Sequence, residues 1–236
     1  MLKVFHKLIF GLVMFAVPMS AYAQAAPEPL TCNGAAVSFE AGVMPSDWSI
    51  STAAAAGGEF VISTNNSSSF WLPGPAPDGS YYASANDDTT GPISDGSSDY
   101  LYSNVFNLTN SSAASLAFDY HFNATFGHIA GGVQVSSDGG ITWDAEIIVA
   151  AGPDWQNHNL DLAAYTGLPT VQVRFHSDDG GAWAAGYGID NLALSCDIDV
   201  PIITAIAIPT ASFWGLLLLA GLLLVVAMRR MRPERN

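Results

Sequence analysis

The sequence predicts an all-β fold, a sandwich or a barrel, between two apolar chain ends. Short stretches that alternate apolar with polar residues recur over residues 32–199, and Val, Ile, Phe and Tyr are frequent in them. Gly, Asn, Asp, Ser and Pro separate these stretches, as in turns. No stretch between the ends shows a convincing period of 3.6 residues. Many short strands joined by Gly- and Pro-rich turns indicate a sandwich or a barrel.

The N-terminal segment has the order of a secretory signal peptide. Lys3 and Lys7 precede a short apolar stretch, and Ala21-Tyr22-Ala23 places small residues on either side of a tyrosine just before Gln24. We therefore expect residues 1–23 to be a signal peptide and residues 24–31 a linker. The domain that follows is then exported.

Eight stretches have the pattern of strands. They alternate in polarity and end at turn residues, and they cover residues 36–40, 59–64, 100–108, 115–122, 131–136, 145–150, 170–176 and 188–195. Residues 160–167 fit a strand followed by a turn. Residues 51–58 fit a strand or a loop, and the prolines in 72–80 indicate a loop.

Two cysteines, Cys32 and Cys196, bracket the predicted domain. An exported protein permits disulfides, so we expect a bridge that joins the first strand to the last. Two free thiols are the alternative.

The charge between the apolar ends excludes some ligands. This region has Arg174 as its single Lys or Arg and twenty Asp and Glu residues, which gives a net charge of −19. Binding of a phosphate backbone needs several Lys or Arg side chains. Nucleic acid is therefore not an expected partner, and divalent cations or neutral sugars suit the region better.

Four segments, taken in chain order, resemble one group of bacterial surface domains. They are "FEAGVMPSDWSI" (39–50), "SDYLYSNVFNL" (98–108), "VSSDGGITW" (135–143) and "YGIDNLAL" (187–194). Together they look like the MAM-like jelly rolls, of which the cleaved-adhesin and choice-of-anchor modules are examples. The resemblance implies a jelly-roll β-sandwich over residues 32–199, often with a structural Ca²⁺, in adhesins and exported enzymes.

Carboxylates at both ends of the domain are candidate calcium ligands. If Cys32 faces Cys196 across an antiparallel pair, Glu40 and Asp190 become diagonal neighbours on one face, about 7–8 Å apart. That spacing suits a shared cation with oxygen ligands, and the resemblance implies the same pair. The stretch 84–88 adds further oxygen ligands. The predicted calcium site consists of Glu40, Asp87, Asp88 and Asp190.

Aromatic residues in predicted loops are candidates for sugar stacking. They are Trp71, Trp155 and Trp183, and packing under a loop is the alternative for each.

The stretch 136–143 has the pattern of an Asp box. We interpret it as a structural turn, because sialidases need several such boxes and a cluster of arginines.

Enzyme signatures such as His-Glu-x-x-His and Gly-x-Ser-x-Gly do not occur in the sequence. The expected function is therefore a non-catalytic module at the cell surface or in the extracellular matrix, with a glycan or a surface protein as ligand. The alternative is a secreted glycan-active enzyme that uses a pair of Asp or Glu carboxylates.

The C-terminal segment resembles the IPTL-CTERM sorting signal of Gram-negative bacteria. The similar residues are Ile208, Pro209, Thr210, Trp214 and Gly215, followed by apolar residues and arginines; Ala211 stands where that family usually has Leu. The resemblance implies processing by an exosortase-like enzyme. With 200–207 as a linker, we expect a transmembrane helix at 211–228 in the inner membrane and a basic cytoplasmic tail at 229–236. A plain membrane anchor is the alternative.

Overall fold

The computed structural model describes residues 29–52, 60–79, 81–89, 98–124, 130–181, 184–199 and 213–230, without the side chains of Asp87, Ala130, Phe213 and Trp214. The chain divides into two units, residues 1–198 and residues 199–236. The first unit contains the β-sheets and the second contains a helix.

In the described part of the first unit, ten strands form two antiparallel five-stranded sheets. The first sheet has the order β1-β4-β9-β6-β7. Its strands are β1 (Ser49–Thr52), β4 (Ser98–Tyr102), β6 (Ala130–Ser136), β7 (Ile147–Ile148) and β9 (Gln172–Asp178).

The second sheet has the order β2-β3-β10-β5-β8. Its strands are β2 (Val61–Ser63), β3 (Tyr82–Ala85), β5 (Ser111–Phe122), β8 (Gln156–Asp161) and β10 (Tyr187–Ile198). The two longest strands, β5 and β10, pair with each other at the centre.

The two sheets pack face to face around one apolar core. On β9 the side chains of Val173 and Phe175 are buried while Arg174 between them is half-buried, as the period of two requires. Phe175 meets Phe118 of the opposite sheet with ring centroids 5.0 Å apart. These contacts between sheets confirm the predicted β-sandwich, whereas the finer jelly-roll assignment stays a prediction.

Several strand boundaries differ from the prediction. Residues 36–40 form no strand; Val37 makes an isolated bridge to Leu192. Strand β3 was not expected, because Ser and Ala carry little strand propensity of their own. Strand β1 includes residues 51 and 52 of the stretch 51–58, for which a strand and a loop were both open. Residues 160–161 end β8, and a 3₁₀ turn follows at Ala163–Tyr165.

The Cys32–Cys196 disulfide is present, which confirms that prediction. The register beside it is shifted by one residue from the expected one: with Cys32 opposite Cys196, Ala36 would face Leu192, whereas Val37 faces it in the structure. Asn33 is the cause: its side-chain amide bonds both backbone groups of Cys196, at 2.7 and 3.0 Å. Cys196 therefore has an asparagine side chain in the place of a strand partner.

The second unit contains the helix α1 (Phe213–Arg230). Arg229 and Arg230 occupy its last turn. Within the described residues, no helix combines the length and the apolarity needed to cross a membrane. The structure therefore does not support the predicted transmembrane helix 211–228.

Other predictions fall outside the described residues. The signal peptide 1–23, Trp183, and the sorting-signal residues Ile208, Pro209 and Thr210 belong to this group, as do the side chains of Asp87 and Trp214. Gly215 is described and lies in α1.

The disulfide closes a loop with a sequence separation of 164 residues, so its removal should lower stability. The chain-entropy model gives a loss of up to about 5 kcal/mol, because the unfolded chain regains the freedom of that loop. We expect the Cys32→Ala/Cys196→Ala variant of the full chain to unfold at a lower urea concentration. Reductant should shift the wild type in the same direction and leave the variant unchanged. Equal midpoints for wild type and variant would contradict the prediction.

Candidate functional site

The outer face of the first sheet presents a group of aromatic and polar side chains. We call Tyr100, Tyr102, Trp143, Arg174 and His176 the polar-aromatic face. Tyr100 pairs with His176 and Tyr102 pairs with Arg174 across β4 and β9. The pleat sends alternate residues to opposite sides, so these four side chains share the side away from the core.

Arg174 lies between two aromatic rings. Its guanidinium carbon is 4.2 Å from the centroid of Tyr100 and 4.3 Å from that of Trp143. Its Nε donates a hydrogen bond to Oε1 of Gln134 at 2.9 Å. These contacts hold the single cation of the exported region in a fixed position on the sheet.

His176 continues the same row of flat side chains. Its ring stacks on Tyr100 with centroids 4.3 Å apart and an interplanar angle of 4°. Its Nε2 is 2.8 Å from Oγ of Ser98, and its Nδ1 is 2.6 Å from Oε1 of Glu146. The imidazole thus has a defined orientation and a partner at each nitrogen.

The loop after β6 brings Trp143 over Arg174, and Asp138 organises that loop. Oδ1 of Asp138 accepts hydrogen bonds from the N–H groups of Ile141 and Thr142, and its Oδ2 accepts one from Oγ1 of Thr142. The pKa of Asp138 is lowered to about 2, and the hydrogen bond from the Thr142 hydroxyl is the largest cause. The Asp box therefore acts as a structural turn, as expected.

The predicted stacking residues Trp71 and Trp155 lie on the other sheet, and Trp71 has no exposed surface for a sugar. Trp71 is completely buried, and its Nε1 donates a hydrogen bond to Nδ1 of His121 at 2.8 Å. Trp155 is half-buried and packs against Tyr82 with centroids 5.5 Å apart. The reason is that the segment 64–79 carries Trp71 onto the outer face of the second sheet, where these rings form a second apolar cluster.

Three carboxylates influence one another beside that cluster, and we call Glu40, Asp78 and Asp190 the acidic cluster. Asp190 is completely buried; its Oδ1 accepts a hydrogen bond from the N–H of Asn191, and its Oδ2 has no hydrogen-bond partner. Burial, followed by the charges of Asp78 and Glu40, raises the pKa of Asp190 to about 8.

The predicted calcium ligands are only partly brought together. Glu40 and Asp190 are within electrostatic reach of each other, and Oε1 of Glu40 accepts a hydrogen bond from the N–H of Tyr81. Asp88 accepts a hydrogen bond from Oγ of Ser68. In the described ranges, no group of three or more His, Cys, Asp or Glu side chains is arranged to hold a metal ion. Asp78, which the sequence did not single out, is the carboxylate that acts most strongly on Asp190.

Sequence reasoning missed the polar-aromatic face. The alternation in 98–102 and 172–178 predicts two-sided strands, but it does not tell which strands are neighbours. The grouping depends on the pairing of β4 with β9, whose residues lie more than seventy positions apart along the chain. The one available signal was Arg174, a single cation on an otherwise acidic domain.

Comparison with protein families finds no matching family model, and no curated protein matches the chain. Several solved structures are similar in fold. The K1 cleaved adhesin domain of Lys-gingipain from Porphyromonas gingivalis W83 aligns with 69% of this chain and 97% of that domain, at 17% identity and a TM-score of 0.49.

Two carbohydrate-binding modules of Clostridium thermocellum are similar at lower scores. The C-terminal family 22 module of Xyn10B aligns with 73% of this chain and 99% of its own, at 12% identity and a TM-score of 0.44. The family 11 module aligns with 70% of this chain and 97% of its own, at 8% identity and a TM-score of 0.38. No residue role in this chain is taken from these similarities.

The raised pKa of Asp190 makes stability depend on pH. The folded protein keeps the Asp190 proton up to about pH 8, whereas the unfolded carboxyl loses it near its ordinary value of 3.8. The contribution of Asp190 to the free energy of unfolding is therefore at its maximum below that ordinary value, and it is lost as the pH rises through about 8. With a chelator present, the melting temperature should fall between about pH 5 and pH 8. Asp190→Asn should flatten this fall and Asp197→Asn, on the same strand, should not. An equally steep fall in Asp190→Asn would contradict the assignment.

Proposed function

We propose that this chain is an exported binding module whose ligand is a neutral glycan, held on the polar-aromatic face. The observation that carries the proposal is the arrangement of Tyr100, Tyr102 and Trp143 around one ordered cation, Arg174. All four side chains are half-buried, so each keeps surface on the outside of the sheet. Arg174 and His176 already pack on Tyr100, so Tyr102 and Trp143 are the rings that supply apolar area for the faces of sugar rings, and the fixed polar groups beside them supply direction.

The charge of the region supports a neutral ligand over an anionic one. The net charge of −19 repels polyanions, and a single arginine does not neutralise them. Glycan hydroxyl groups can pair with the guanidinium of Arg174 and the amide of Gln134 without a change in net charge. A protein ligand at the cell surface is the other partner that the sequence suggested.

The alternative of a glycoside hydrolase acting through paired carboxylates has less support. The carboxylate with a raised pKa, Asp190, has no exposed surface. A general acid has to come within hydrogen-bond reach of its substrate. The acidic cluster therefore suits a structural role better than the cleavage of a glycosidic bond.

Export has independent support in the Cys32–Cys196 disulfide, since such bridges persist mainly outside the reducing cytoplasm. We place the module at the cell surface or in the extracellular matrix. As part of this proposal, residues 208–215 act as a processing signal for an exosortase-like enzyme; the support is the order of Ile208-Pro209-Thr210 and Trp214-Gly215 in the sequence.

We propose Ca²⁺ beside Asp190 as the cofactor for the fold, although no three acidic side chains of the described residues are arranged as its ligands. Oδ2 of Asp190 accepts no hydrogen bond from a donor group; Asp78 and Glu40 place negative charge around it, and Asp78 also shares a side-chain hydrogen bond with Asp190. Carboxylate oxygens are the ligands that Ca²⁺ prefers, and backbone carbonyls or water would complete its six to eight positions. The ion would allow Asp190 to remain ionised in the interior.

Glycan binding is tested on a glycan array and then by calorimetry with the best neutral oligosaccharide. We expect Trp143→Ala to weaken binding about fivefold or more, because an aromatic contact contributes roughly 1 kcal/mol or more. The matched control is Phe70→Ala, which removes an exposed ring on the segment over the other sheet. Equal losses in both variants, or no bound neutral glycan on the array, would contradict the proposal.

Calcium binding is tested by thermal unfolding of the full chain near pH 8 with chelator or with added Ca²⁺. Added Ca²⁺ should raise the melting temperature of the wild type, because an ion at a hundredfold excess over its Kd stabilises the folded state by about 2.7 kcal/mol. The increase should disappear in Asp190→Asn and persist in Asp197→Asn. A wild-type melting temperature that changes neither with chelator nor with added Ca²⁺ would exclude the site.

A further inference from the structure

Three side chains at one end of the polar-aromatic face form a continuous hydrogen-bonded chain. Oγ of Ser98 lies 2.8 Å from Nε2 of His176, and Nδ1 of His176 lies 2.6 Å from Oε1 of Glu146. We propose that Ser98, His176 and Glu146 are a nucleophile, a general base and an orienting carboxylate, and that this site hydrolyses carboxylic esters. The activity goes beyond binding and differs from the carboxylate-pair hydrolysis considered above.

The geometry meets the requirements of such a triad. Both distances fall within the range of about 2.6–3.2 Å that links a nucleophile to its base and the base to its orienting group. Glu146 accepts the hydrogen from Nδ1 and thereby leaves Nε2 as the acceptor that faces the serine hydroxyl. The stacked ring of Tyr100 fixes the plane of the imidazole.

The fold makes room for this arrangement. Gly132 is the partner of His176 on β6, and a Cβ at Gly132 would collide with the Glu146 carboxylate. A side chain at that position would therefore push Glu146 away from His176. Side-chain exposure decreases from 22% at Glu146 to 10% at His176, which limits the competition of water for the hydrogen bond between them.

The reaction is balanced with water as the only co-reactant. Oγ of Ser98 attacks the ester carbonyl carbon while Nε2 of His176 takes the hydroxyl proton. The bond from that carbon to the alcohol oxygen then breaks, and His176 gives the proton to the departing alcohol. Water attacks the acyl-serine in the same way, releases the carboxylic acid and returns the proton to Oγ.

The choice of substrate rests on the proposed function: an O-acylated neutral glycan would place its sugar on the aromatic rings and its ester at Ser98. The nucleophile itself does not depend on glycan binding. Tests with a small fluorophosphonate probe and with p-nitrophenyl acetate therefore examine the triad alone, while calorimetry with the unmodified glycan examines the binding function alone.

The experiment uses the full-length protein and identifies the labelled serine by mass spectrometry. We expect the probe to modify Ser98, and we expect Ser98→Ala to lose both labelling and ester hydrolysis with an unchanged melting temperature. Ser195→Ala, which removes an exposed serine on the other sheet, should behave as wild type. His176→Gln should lower the labelling rate by about 10²–10⁴-fold, the usual contribution of a general base.

Glu146 is a positioning residue, and its variants need a separate measurement. Glu146→Gln and Gly132→Ala should each lower kcat for p-nitrophenyl acetate and leave KM unchanged, since both disturb the orientation of His176 and not the contact with the ester. Absence of probe at Ser98 in a stably folded wild type, or equal labelling of Ser98 in wild type and His176→Gln, would overturn the triad. Labelling at Ser98 without glycan binding would overturn the proposed function alone.

Discussion

The pairing of β5 with β10 is the interaction on which the rest of the sandwich depends. These strands have 12 residues each and run antiparallel along most of their length. Their inward side chains, such as Phe118 and Ile189, build one wall of the core. A bulge between Asp190 and Ala193, with Asn191 at a φ of 54°, interrupts the regular pairing of β10 with β5. Such a bulge redirects the chain locally, and it lies where the buried carboxylate of Asp190 meets the acidic cluster.

One outer face of the sandwich is covered by a chain segment, and the other is open. The segment 64–79 covers the second sheet and buries Trp71 against β10, where Gly186 leaves space that a Cβ would take from the Trp71 ring. In the first sheet the half-buried side chains of β4 and β9 keep exposed surface. The covered face can therefore hold a buried carboxyl group, whereas the open face can meet a ligand. This difference explains why Trp71, a predicted stacking residue, has no exposed surface.

Binding and ester hydrolysis use one row of side chains in different ways. Tyr100 links them, because it contacts Arg174 and stacks on His176. Arg174, Tyr100 and His176 lie between Trp143 and Ser98 along this face, so that recognition and reaction would share one sheet. Groups on strands hold their positions better than groups on loops. Trp143 and Glu146 are exceptions, since both lie in the loop between β6 and β7, and the place of Glu146 depends on the small size of Gly132.

The sequence by itself determined the class of fold, the disulfide and the structural turn at Asp138. These features depend on local patterns: alternation of polarity, two cysteines in an exported chain, and an aspartate beside glycines that bonds its own turn. The sequence also singled out Asp190. The register that it predicts beside Cys196 differs by one residue from the observed register, because the side chain of Asn33 replaces a backbone partner. The tertiary structure alone decided that Trp71 is interior and that Ser98, Glu146 and His176 meet. Residues separated by 30 and 78 positions come into contact only when non-neighbouring strands pair and a loop folds over them, and side-chain alternation carries no information about which strands become neighbours.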